Sequence, residues 1–265
     1  MSRLDIFGQT YEVRFDNKDL SSYGFYCYDM KTPFMPQQAQ ETINIPRRNG
    51  LIQTNKKFLT NKLILMGFVY AYSDITTQLG LLASKLYFDT DKMLTCSKRP
   101  NQYWNAQYLS YEIVDQRDDY AILNLEFTCN DPFAYAKTGD GDNFDVTVSG
   151  TNCIFNNGGH YYAFPVFTII FNAPQTHIYI LNNAITNNRL DISKGFIKDD
   201  YLEIDCKNKT IKLNGKKSPN GFGDGGEGCS EWVLLAKGYN WVEVGTDDPT
   251  IDVNVNLAFT KVYLY

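Results

Sequence analysis

Apolar and polar residues along most of the chain alternate with a period of two or gather in short runs between turn residues, the pattern of β-strands. Tyr120 to Phe127 (YAILNLEF) mixes β-branched, aromatic and aliphatic residues and predicts a mostly buried strand. Lys62 to Tyr72 (KLILMGFVYAY) predicts a long strand, buried on both faces or bulged at Gly67. Trp104 to Val114 alternates, offering Ala106, Tyr108 and the pair Ile113 and Val114 to one face or the other. Helical spacing occurs between Asp74 and Phe88, where Ile75, Leu79, Leu82 and Leu86 recur at steps of four, three and four. Ser73 or Asp74 caps its first turn, and Gly80 weakens it by about 1 kcal/mol relative to Ala. The first half therefore predicts a sheet covered by one helix. In the second half, strands recur between turn signals at Asn157-Gly158, Asn182-Asn183, Lys207 to Lys209, Asn214-Gly215 and Lys237-Gly238, which predicts an antiparallel sandwich. The fold class is mainly β, and the missing β-α rhythm excludes a dinucleotide-binding fold.

The segment Phe127 to Tyr135 (FTCNDPFAY) marks the border between the halves. Asn130 and Asp131 break the strand, and Pro132 fixes its own φ and removes a ladder donor. Phe133 and Tyr135, two apart, fall on one face and are expected to fix the direction of the chain's exit from the first domain. Lys137 to Asn143 (KTGDGDN) is rich in Gly and Asp and reads as a linker. The expected division is residues 1–137, a linker over 138–143, and a sandwich over 144–265. Within the first domain, Gly24 to Lys57 carries Pro33, Pro36 and Pro46, a polar run and Arg47-Arg48 before Asn49-Gly50. It predicts a long exposed hairpin. Such a hairpin is not stable alone in water, so it must lean on something.

Composition removes function classes rather than adding them. Of 265 residues, 43% are hydrophobic and 21% charged, which is globular rather than disordered. Residues 1–137 balance 15 basic against 15 acidic side chains, so the net charge of −5 lies wholly in the second half, and no basic footprint for nucleic acid exists. Six scattered cysteines form no Cys-x-x-Cys pair, which argues against metal ribbons and for reduced, buried thiols. The start, MSRLDIFGQT, lacks an apolar signal core, and no run reaches membrane-spanning length. His160 and His177 each stand alone between strand-like residues, and no nucleophile elbow, zinc-protease motif or P-loop occurs. Asp140, Asp142 and Asp145 could offer oxygens to calcium, but the later Gly and terminal Glu of an EF-hand loop are missing. The expectation is a non-enzymatic protein without cofactor or metal.

Several blocks together resemble one family. Asp131, Pro132, Phe133 and Tyr135 look like the Asp-Pro-Phe-x-Tyr that ends the first domain of distal tail proteins from long-tailed phages infecting Gram-positive bacteria. Ile45, Pro46, Arg47, Arg48, Asn49 and Gly50 (IPRRNG) resemble that family's Ile-Pro-basic-polar-Gly segment. Gly158 to Phe167 (GGHYYAFPVF), Leu202 to Gly215 (LEIDCKNKTIKLNG) and Leu234 to Val244 (LLAKGYNWVEV) follow in the family's order.

The resemblance implies a galectin-like second domain and an arm, about residues 24–57, that clasps a neighbouring subunit in a homo-oligomeric ring, a hexamer. Ile45 to Gly50 would lie at that subunit contact. The implied partners are the major tail tube protein, a tail-associated fibre or lysin-type protein, and receptor-binding or other baseplate proteins. The implied place is the virion tail tip. A competing class is a carbohydrate-binding sandwich, with Tyr161, Tyr179, Trp232 and Trp241 as a stacking platform. Their strand-like, largely apolar surroundings predict that most of these rings are core.

Overall fold

The structure, a computed structural model, describes residues 9–43, 52–71, 74–217, 231–246 and 250–264. It divides into two compact units, Met1–Lys137 with Leu264–Tyr265, and Thr138–Tyr263. Each is mainly β, and the strand pairings are antiparallel.

The described residues of the first unit form ten strands: β1 (Val13–Phe15), β2 (Lys18–Asp19), β3 (Phe25–Lys31), β4 (Gln38–Ile43), β5 (Ile52–Phe58), β6 (Asn61–Tyr70), β7 (Lys92–Cys96), β8 (Gln102–Gln116), β9 (Tyr120–Cys129) and β10 (Ala134–Ala136). Its main sheet runs β2-β1-β7-β8-β9-β6-β3, with β10 laid against the start of β8. β6 and β9 pair without interruption from Asn61↔Cys129 to Tyr70↔Tyr120, because both sequences alternate in step. Ala121, Leu123, Leu125, Phe127 and Cys129 face inward from β9. The Phe15 ring meets Phe127 edge-on at 5.2 Å, and Trp104 of β8 is fully buried.

The bulge expected at Gly67 lies on its partner strand instead, between Cys27 and Asp29 of β3. Gly67 serves a steric need: a Cβ there would come within 2.5 Å of the Phe25 ring and 2.6 Å of the Tyr26 carbonyl. The expected helix is α1 (Ile75–Leu86). Asp74 caps it by accepting from the backbone N–H groups of Thr76 and Thr77 at 3.1 and 2.8 Å. Leu82 and Leu86 share an apolar groove with Leu123 and Leu125 of β9, so the helix covers the sheet through its leucine stripe.

The second unit holds β11 (Asp140–Val148), β12 (Thr151–Asn157), β13 (Val166–Phe171), β14 (Gln175–Asn182), β15 (Arg189–Phe196), β16 (Tyr201–Asp205), β17 (Thr210–Leu213), β18 (Lys216–Lys217), β19 (Gly238–Gly245), β20 (Thr250–Phe259) and β21 (Val262–Tyr263). It is a sandwich in which one sheet runs β11-β20-β13-β16-β17-β18 and the other β12-β19-β14-β15. Their inner faces supply one core, with Phe167, Ile169 and Phe171 of the first sheet and Ile178, Ile180, Val242 and Val244 of the second all without exposed surface.

Two expectations fail here for physical reasons. Most of the expected linker over 138–143 is strand, since β11 begins at Asp140. Gly141 there permits close backbone approach: a Cβ would lie 2.1 Å from the Leu257 carbonyl oxygen across β20. The neighbouring polar residues pair across the strands, Asn256 donating to Asn143 at 2.5 Å and Asn254 to Asp145. The expected return strand from Leu234 likewise starts only at Gly238. The stretch before it is held by buried asparagines: Asn182 and Asn188 donate to the carbonyls of Leu234 and Trp232, and the Asn240 side chain both accepts from Ala236 N–H and donates to Ala236 C=O. Side-chain amides thus do what a strand ladder would otherwise do.

Candidate functional site

The chain's exit from the first unit is built by four residues that the sequence marks. Tyr135 is buried, and its hydroxyl donates to the Asp131 carboxylate four residues earlier. Burial first, and that carboxylate second, push the Tyr135 phenol well above its ordinary pKa, so it remains a donor at neutral pH. The Pro132 carbonyl accepts from the buried Asn61 amide at 3.3 Å, which ties the turn to the start of β6. The Tyr135 ring stacks on Tyr103 at 5.6 Å, as β10 pairs Tyr135 directly with Tyr103 of β8. Phe133 points elsewhere. Its ring meets Phe58 edge-on at 5.3 Å, at the last residue of β5.

That contact connects the exit to the hairpin. β4 and β5 form a two-stranded sheet of their own, from Gln38↔Phe58 to Ile43↔Ile52, with a bulge at Glu41–Thr42. The expected arm begins at residue 24, but Phe25–Lys31 belongs to the main sheet as β3, because its Phe25, Cys27 and Met30 are needed in the core. The hairpin proper therefore occupies 38–58. Phe34 is 96% exposed at its base, with Met35 and Leu59 also exposed. Ile45, Pro46, Arg47, Arg48, Asn49 and Gly50 lie outside the described residues.

A second exposed region does not stand out in the sequence pattern. β8 is paired to β7 and β10 only up to Ala106, and from Gln107 to Gln116 its described neighbour is β9 alone. Leu109, Tyr111, Ile113 and Val114 of this half are all exposed. The one-sided ladder and the apolar side chains make an open, sticky edge.

The four aromatic platform candidates separate. Trp232 is half-buried against the sandwich core, and Tyr161 is half-buried beside Tyr162. Tyr179 and Trp241 sit on the outer face of the β12-β19-β14-β15 sheet, and Trp241 is 45% exposed. The expectation that most of these rings are core is thus corrected: none of the four is fully buried, and Tyr179 and Trp241 lie on the outer face. The signal was the alternation in GYNWVEV, where Asn240, Val242 and Val244 turn inward and leave Tyr239, Trp241 and Glu243 outside.

The remaining chemistry is structural. His177 lies 3.2 Å from Asp191, and the His160 ring meets Tyr263 edge-on. Cys27, Cys96, Cys129 and Cys206 are buried free thiols and Cys153 is a half-buried one, while Cys229 lies outside the described residues. Burial pushes the Cys129 and Cys206 thiols up to about 12. Asp140, Asp142 and Asp145 lie along β11, and among the described residues no group of three or more His, Cys, Asp or Glu is placed to hold a metal ion.

Residues 158–263 match the family described as Siphovirus-type tail component, C-terminal domain. The distal tail protein of Bacillus phage SPP1 is 24% identical over 221 residues, which cover 82% of this chain and 85% of that protein. The chain is thus similar to a distal tail protein over most of its length. The crystal structure of the SPP1 protein, described as a paradigm of the hub adsorption apparatus in phages infecting Gram-positive bacteria, superposes with a TM-score of 0.76. That superposition covers 97% of this chain and 100% of the other at 18% identity, so the shared fold extends over both units.

Proposed function

We infer that this protein is a structural, non-enzymatic hub of a phage or phage-derived tail tip, in which copies of the chain join in a ring between the tail tube and the fibre and receptor-binding apparatus. The observation that carries the reading is the second half of β8, a strand edge bearing Leu109, Tyr111, Ile113 and Val114 in solvent. A monomer that left such an edge open would aggregate, whereas a closed ring pairs or covers every edge. The hairpin gives the same indication, because two strands with no third described neighbour are marginal in water. A neighbouring copy that receives the hairpin supplies the missing contact, and six such contacts close a hexamer. The tail tube protein on one side, and fibre, lysin-type or receptor-binding baseplate proteins on the other, are the partners this ring would join.

The test is the solution assembly of the purified chain and of a variant with Tyr111→Lys and Ile113→Lys. The wild type should sediment as a ring, and the variant as a folded monomer with an unchanged circular dichroism spectrum. A variant that keeps the ring would remove β8 from the interface.

A further inference from the structure

We propose that the outer face of the β12-β19-β14-β15 sheet is a binding site for a neutral saccharide, with Trp241 as its stacking floor. This site is separate from the hub contacts and does not depend on them.

The register of the sheet builds the site. Trp241 of β19 stands opposite Ile154 of β12, with Tyr239 and Glu243 two residues away on its own strand. On its other side the Asn183 backbone N–H donates to the Trp241 carbonyl at 2.9 Å, which sets the exposed Asn183 beside Trp241 in the sheet. Ile154 and Tyr239 are 62% and 63% exposed, so the indole lies in an open apolar strip rather than under a neighbour. The polar groups beside it are already oriented. Glu243 accepts from the Tyr179 hydroxyl at 2.8 Å and from the Asn183 amide at 3.3 Å, and that same amide donates to Asn152 at 3.1 Å.

Tyr179 reaches Glu243 because Gly245, its cross-strand partner, has no side chain. A Cβ there would lie 2.5 Å from the Tyr179 ring. The ring is clamped from above by Arg189, whose guanidinium carbon is 4.1 Å from its centroid. Arg189 is in turn fixed by paired contacts to both oxygens of Asp191, at 2.9 and 2.7 Å. The carboxylate at the centre of this network is therefore preorganised. An ionised carboxylate offers about four acceptor positions, more than the Tyr179 hydroxyl and Asn183 amide occupy.

This combination selects the ligand. A pyranose presents a flat C–H face, which suits an exposed indole, and a rim of hydroxyl donors, which suits a carboxylate and primary amides at the edge of that indole. A protein partner would favour a dry apolar centre with its polar groups at the rim. Here the amide-bearing Asn183 and the carboxylate-bearing Glu243 are Trp241's neighbours in the sheet. The second half of the chain carries the entire net charge of −5, which disfavours phosphate- or carboxylate-bearing polymers and leaves neutral chains.

The experiment titrates the full-length protein with cellotriose, maltotriose and N,N′,N″-triacetylchitotriose, and with trigalacturonate as the anionic comparison. Binding is read by tryptophan fluorescence and by saturation-transfer NMR. Trp104 is fully buried and Trp232 half-buried against the core, so the part of the response that is lost in Trp241→Ala reports the exposed indole. At least one neutral trisaccharide should saturate in the millimolar range or tighter. Trp241→Ala and Glu243→Gln should each weaken it about tenfold or more with unfolding midpoints unchanged. If Trp241→Ala fails to fold, Asn183→Ala on the exposed rim should show the same loss. The proposal is overturned if no neutral sugar saturates, if binding survives in Trp241→Ala, or if the substitutions alter only the mass of the assembly, which would make this face a contact between copies.

Discussion

Asn240 has no exposed surface, yet its side chain joins Ala236, Gly238 and Asn182 in one network. Asn240→Ala should cost about 1–3 kcal/mol by leaving buried backbone groups without partners, measurable by urea unfolding of the sandwich. Two glycines should respond in opposite directions. Gly67→Ala must displace the Phe25 ring and the Tyr26 carbonyl and should lower stability. A Cβ at Gly80 in α1 would meet nothing within 4 Å, and Gly80→Ala should raise stability by about 1 kcal/mol. Acid should act through groups such as Asp29, whose hydrogen bond from Lys98 holds its carboxyl below the ordinary range. A depressed folded-state pKa means that its stabilisation is complete above the ordinary value of about 3.9 and is lost as pH falls through the depressed one. Asp29→Asn should accordingly flatten the acid limb of the stability profile and leave that limb's neutral end lowered. At this scale the inward positions of Val242 and Val244 follow from the alternation in GYNWVEV, whereas Trp241, expected in the core, lies outside. What sequence did not carry was that Asn240 would be inside, because a buried amide is explained by its distant partners and not by its neighbours in the chain.

At the scale of elements, the helix and the paired strands β6 and β9 follow from local periodicity, and the structure places them where that periodicity points. The residues over 138–143 misled, because Gly and Asp give the same composition to a flexible connection and to a strand that approaches its neighbour closely. Only the cross-strand contacts with Leu257, Asn254 and Asn256 distinguish the two. The exit motif was visible as a strand breaker, but the partner of Phe133 was not. Its contact with Phe58 gives the aromatic a role at the base of the hairpin. Phe133→Ala should therefore loosen the hairpin and weaken assembly more than it lowers the melting temperature of the first unit. Comparing hydrogen exchange at β4 and β5 with thermal unfolding checks this, and a fall in melting temperature with unchanged exchange would assign Phe133 to the core alone. Gln38 and Phe58 are directly paired, so excising 39–57 and closing the gap with a short Gly-Ser link should leave both units folded while abolishing the ring.

At the scale of the molecule, the aromatic and apolar residues go mostly into strands, as the fold shared with the SPP1 protein requires. The order of the sequence blocks was enough to suggest the family, since each block marks a turn or strand that the fold needs in that position. The assembly surface was less legible: Leu109, Tyr111, Ile113 and Val114 look like any buried strand until the register shows that β8 has outrun β7 and β10. The hub account rests on that edge being closed by another copy of the chain. Its most direct test is the native mass of the purified protein over a range of concentrations. The account predicts a discrete ring, six times the chain mass of 30.3 kDa, that persists on dilution. A single chain mass at every concentration would contradict it.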